Sequence, residues 1–97
     1  MSNLCKEITK MGRGIGNENR YRILEILMGT PKTVGEIAKK IGLTQPAVSQ
    51  NLKVLKTSNL VRNERSGQEV HYSINVAYMA SLLHKLAKDV NKSKSKS

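Results

Sequence analysis

Between Thr44 and Asn63 the chain presents Thr44, Gln45, Ser49, Gln50, Lys53 and Lys56 and not one carboxylate. Amides and hydroxyls can match the edges of nucleobases: Gln pairs bidentately with adenine, Ser suits more than one base, and lysine neutralises phosphate. An ordinary solvated helix face mixes both signs of charge instead. With Val48, Leu52 and Leu55 turned inward, a step of about 100° per residue puts Pro46, Gln50, Lys53 and Thr57 outward, flanked by Gln45 and Ser49. Such a face suits a groove of duplex DNA.

Other reactive groups are few and far apart. There is no Gly-rich phosphate loop and no catalytic carboxylate pair, and the single cysteine, Cys5, lies far in sequence from His71 and His84. The chain is therefore expected not to be an enzyme and to need no cofactor. His84 reads as a polar surface or interface residue of the last helix, and His71 as a cross-strand neighbour in a hairpin. Two further functions compete with sequence-specific DNA binding: a thiol-responsive sensor acting through Cys5, and a module that binds nucleic acid or protein without sequence preference. Oxidation would weaken DNA binding in the first, and random duplex would bind as well as any site in the second.

The elements that must position these groups follow from spacing. Leu4, Ile8 and Met11 predict a short helix over 3–11, with Gly12, Gly14 and Gly16 ending it in a flexible turn. A second helix starts near Asn17, carries Ile23, Leu24 and Leu27 on one stripe, and stops at Gly29 and Pro31. Thr33 with Glu36 three residues on is a capping box for a third helix, whose Val34, Ile37, Ala38 and Ile41 face inward until Gly42. Thr44 caps the fourth, where Pro46 is tolerable in the first turn. Runs 60–65 and 69–74, separated by Ser66, Gly67 and Gln68, form a hairpin. Met79, Leu82, Leu83, Leu86 and Val90 give a last helix over 76–90, and 92–97 is expected to be a disordered basic tail to a domain of residues 1–91. The predicted fold is mainly α with a small β-hairpin, a winged helix-turn-helix in the order α1-α2-α3-α4-β-β-α5.

Lys+Arg 17 against Asp+Glu 7 leaves a formal charge of +10, which points to a polyanionic partner. At 97 residues, with no Trp or Phe and three Tyr, the core is small, and oligomerisation is a common remedy. No apolar run is long enough for a signal peptide or a membrane span, so no membrane partner and a cytoplasmic location are expected.

The stretches NRYRILEIL (19–27), VGEIAKKIGLTQPAVSQNLKVL (34–55) and LVRNERSGQEVHYSI (60–74) resemble the arsenic-repressor (ArsR/SmtB) family. The resemblance implies a transcriptional repressor that acts as a homodimer on an inverted-repeat operator. It implies that the first and last helices form the dimer interface, here Leu4, Ile8, Met79, Leu82, Leu83 and Leu86. Gln45, Ser49 and Gln50 match the family's base-reading positions, with Asn51 where many members carry His. Thr44, Pro46 and Lys53 complete the helix contact, and Arg62, Arg65 and Gln68 of the wing would approach the neighbouring backbone or minor groove. Where many relatives bind metal, this chain has Thr33 and Gly35 at one site and Val76, Tyr78, Asp89 and Lys92 at the other. Only Asp89 is a metal ligand by type, so no metal site is expected.

Overall fold

A computed structural model of the chain describes residues 3–95. Its order is α1 (Asn3–Ile15), α2 (Glu18–Leu27), α3 (Val34–Ile41), α4 (Gln45–Thr57), β1 (Val61–Ser66), β2 (Glu69–Ile74) and α5 (Val76–Ser95). This is the expected winged helix-turn-helix. Three of its elements differ in extent from the sequence reading.

The first is α1, which continues through Gly12 and Gly14 to Ile15 rather than breaking at 12. Gly14 is buried, and a Cβ there would lie 2.8 Å from Leu60 Cδ1 and 3.0 Å from Ser58 Oγ. The glycine serves a close approach between α1 and the end of α4, not flexibility. Arg20 then closes the helix: its Nε donates to the Gly14 carbonyl at 2.7 Å and its Nη2 to that of Arg13 at 3.0 Å. Those bonds satisfy carbonyls that a helix C-terminus leaves without partners.

The second is the hairpin. Ser66 pairs with Glu69, leaving a two-residue loop in which only Gly67 (φ = 64°) has positive φ, the pattern of a type II′ turn. Lys32 adds a bridge that no local pattern announces: its N–H donates to the Tyr72 carbonyl at 2.9 Å, and its carbonyl accepts the Tyr72 N–H at 2.7 Å. The hairpin is thereby tied to the loop before α3. The third is α5, which runs on to Ser95, so residues 92–95 are helical where a disordered tail was expected; residues 96 and 97 lie outside the described residues.

The core joins Ile23, Leu24 and Leu27 of α2 to Ile37, Ala38 and Ile41 of α3, Val48, Leu52 and Leu55 of α4, and Leu60 and Val61. Side chains of this type each stabilise by about 1.5–3 kcal/mol on burial. Both predicted caps of the central helices are present. Thr33 Oγ1 accepts the Glu36 N–H at 3.2 Å while Glu36 Oε1 accepts the Thr33 N–H at 2.9 Å, and Gly42 ends α3 in the left-handed region at φ = 78°. Among the described residues no helix is long and apolar enough to cross a membrane.

Candidate nucleic-acid interface

Helix α4 is pinned at both ends, and this fixes what it shows to solvent. Thr44 caps its start, accepting the Ala47 N–H at 3.3 Å, and Pro46 occupies the first turn, where its missing N–H costs nothing. At the far end the Leu60 N–H donates to the Leu55 carbonyl and the Asn59 N–H to that of Lys56, with Asn59 at φ = 63°. Those two bonds are a Schellman motif, and the apolar pair that accompanies it is Leu55 and Leu60, both fully buried. The end of α4 and the lead into β1 are therefore held together.

Between these ends Val48, Leu52 and Leu55 are buried, and Gln45, Pro46, Ser49, Gln50 and Lys53 are exposed with Thr44. Not all polar groups of α4 are available. Asn51 Nδ2 donates to the Ala47 carbonyl at 3.0 Å and is half-buried, and the Thr57 hydroxyl donates to the Lys53 carbonyl at 2.8 Å. Among the described residues no hydrogen bond within the protein engages the side chains of Gln45, Ser49 or Gln50. Their donors and acceptors remain available for an external partner. The Gln45 amide nitrogen lies 3.5 Å from where a Cβ on Gly35 would stand, so the start of α3 borders the reading face.

The wing separates residues that the sequence placed together. In the register Val61↔Ile74 to Ser66↔Glu69, alternation puts Asn63 and Arg65 on the face of Val70, Tyr72 and Ile74. Arg62 instead shares the opposite face with Glu64, His71 and Ser73, of which the last three line a hollow with Pro31. All of Arg62, Arg65 and Gln68 are exposed. Because α4 packs on β1 and the Tyr72 face packs on the core, Arg65 and Asn63 continue the side nearer α4. Asn63 is a candidate that the sequence reading missed, although strand alternation from Val61 was there to find it.

The expected interface residues also divide. Leu82 is 1% exposed within the single chain, so it is already spent inside the protomer and is not free to cover a partner. Leu83 (51% exposed), Leu86 (37%) and Val90 (57%) form an uncovered stripe on α5. Met79, Leu4 and Ile8 are half-buried. Leu4, Ile8 and Leu86 line one groove with Cys5, Thr9 and Asp89, where α1 lies against α5. Cys5 is exposed there. Among the described residues no three His, Cys, Asp or Glu side chains assemble as a metal site, and Thr33 is committed to its capping box.

Comparison with known proteins agrees with this geometry. Residues 17–63 match the family model described as bacterial regulatory protein, arsR family. The transcriptional activator HlyU of Vibrio cholerae is 35% identical over 77 residues, covering 76% of this chain and 71% of that protein. The transcriptional repressor SdpR of Bacillus subtilis is 29% identical over 80 residues, covering 82% of this chain and 89% of that one. Among solved structures, a homodimeric winged helix-turn-helix DNA-binding domain of Mycobacterium bovis superposes with a TM-score of 0.73 at 27% identity, covering 95% of this chain and 92% of that one.

Proposed function

The chain belongs to the arsR family of bacterial regulatory proteins, and from that premise we propose that it is a homodimeric, sequence-specific repressor working on an inverted-repeat operator in the cytoplasm. The observation that carries this reading is the row of exposed Gln45, Ser49 and Gln50, whose hydrogen-bonding groups the protein leaves unused on a helix held at both ends. Gln45, Ser49 and Gln50 read base edges; Thr44, Pro46 and Lys53 seat the helix; Arg65 and Gln68 hold the adjacent backbone, with Arg62 directed to the other side of the wing. The uncovered Leu83, Leu86 and Val90, with Leu4, Ile8 and Met79, form the face between protomers. The homodimeric neighbour supports that pairing. Repression needs only occupancy of promoter DNA; among the relatives one is a named repressor and another a named activator, so the mode of action rests on that simpler requirement. Binding is independent of metal, because Thr33, Gly35, Val76 and Tyr78 supply none of the ligands used elsewhere in the family.

Selection of bound fragments from the source genome tests this reading. It should return an inverted repeat with half-sites about one helical turn, roughly 34 Å, or a multiple of it apart. The site should bind roughly a thousandfold or more tighter than random duplex, unchanged by zinc, nickel or arsenite. Equal retention of all fragments would leave only a nonspecific binder.

A further inference from the structure

Most of the net charge of this chain lies away from its reading head. Residues 17–75 hold nine Lys and Arg against five acids, a net of four positive charges; residues 1–16 and 76–97 hold eight against two, a net of six. On α5 the lysines are ordered. Lys85, Lys88 and Lys92 recur at i, i+3 and i+7, which aligns them on one stripe roughly opposite that of Leu83, Leu86 and Val90. Every residue from Leu83 to Lys92 is exposed, and Asp89 is the only acid on the helix. On α1, Lys6, Lys10 and Arg13 likewise share a face and are exposed.

These charges are not explained by the proposed contact of α4 with DNA. Helix α5 lies against α1 and makes no close backbone approach to α4 among the described residues. Its 20 residues span about 30 Å, and the molecule is 53 Å in its longest direction against 25 and 22 Å in the others. At physiological salt an exposed charge is screened within about 8 Å, so a lysine assists binding only where a phosphate comes close to it. Asp89, four residues after Lys85 and three before Lys92, offsets part of the repulsion among the three lysines and leaves the stripe with a net positive charge.

We infer that the Lys85–Lys88–Lys92 stripe is a second, sequence-independent binding surface for the phosphate backbone of duplex DNA, through which one dimer holds a second duplex, or a distant part of the same one. This rests on the homodimer reading above: once Leu83, Leu86 and Val90 are covered by the partner, the basic stripe is what α5 still offers, one from each protomer. A face with charge and no apolar anchor suits a phosphate backbone rather than a membrane interface, where an amphipathic helix must bury its apolar side.

The test uses the full chain, its K85Q/K88Q/K92Q variant and a K85R/K88R/K92R control, with two short random-sequence duplexes carrying different dyes. Wild type and the arginine control should bring both dyes into one complex. The glutamine variant should bind one duplex with wild-type affinity and hold the second at least tenfold more weakly. The salt slope for the second duplex should also exceed that of the variant by about 0.9 for each phosphate that the lysines neutralise. Circular dichroism and light scattering on the same variants report folding and dimerisation, so a failed dimer is distinguished from a failed surface. One duplex per dimer in the wild type overturns the inference, as does equal weakening of both duplexes in the variant. Wild-type binding to phosphatidylglycerol vesicles that the variant loses, without second-duplex binding, would assign the stripe to a membrane and overturn it too.

Discussion

Asn59 holds φ at 63° because the recognition helix must end and the wing begin within three residues. Asparagine tolerates the left-handed region better than most residues, and glycine occupies it without steric cost. Asn59→Ala should therefore lower the unfolding free energy by about 1 kcal/mol, whereas Asn59→Gly should hold or raise it, as read from urea midpoints. A strong loss in the glycine variant would mean that the Asn59 side chain, not its backbone, carries the junction. At this scale the exposed face of α4 was legible: Gln45, Ser49, Gln50 and Lys53 follow from the phase set by Val48, Leu52 and Leu55. The commitments of Asn51 and Thr57 to their own helix were not, because a side chain that donates to the carbonyl four residues back looks in sequence like one that donates outward.

Among the elements, α3 depends on a reciprocal cap whose acid partner titrates. The Thr33 backbone N–H, then its hydroxyl, hold the Glu36 carboxyl below the usual carboxylate range, with smaller help from His71 and Lys32. A carboxyl with lowered folded pKa adds stability that is present above its unfolded pKa and lost as pH falls through the folded one. Wild type and Glu36→Gln should therefore keep a constant stability difference above the carboxylate range, converging toward the acid side, in melts followed by circular dichroism. Parallel curves throughout would contradict the role of the charge. Capping signals such as Thr33, Gly42 and Thr44 were legible because they act over three or four residues. Gly14 and Lys32 were not: a glycine marks a helix break or a close approach with equal economy, and only the fold shows Ser58 and Leu60 against one and Tyr72 beside the other. In the wing, Arg62 and Arg65 stand three residues apart on one strand and so fall on opposite faces by alternation alone; the register adds which face meets Tyr72 and the core.

For the whole molecule, α5 decides between a monomer and a pair. Leu82 and Leu83 are adjacent in sequence and differ by about 100° around the helix, and only the seat of α1 shows that the first turns inward and the second stays uncovered. Leu83→Asp should therefore give a folded monomer by light scattering, where the wild type is expected at twice the 10.8 kDa chain mass. Leu82→Asp should instead unfold the protomer. A wild-type monomer at micromolar concentration would remove the dimer and, with it, the inverted repeat.

The central claim is that α4 reads sequence while the wing supplies affinity, and base preference measured on randomised duplexes with Gln50→Ala and Arg65→Ala tests it most directly. Gln50→Ala should cost about 1–3 kcal/mol for each base edge it no longer reads and flatten the preference at one position in each half-site. Arg65→Ala should weaken all duplexes alike and lower the salt slope by about one for each phosphate it leaves unneutralised. An intact preference in Gln50→Ala together with an erased one in Arg65→Ala would contradict the account and make the wing the reader.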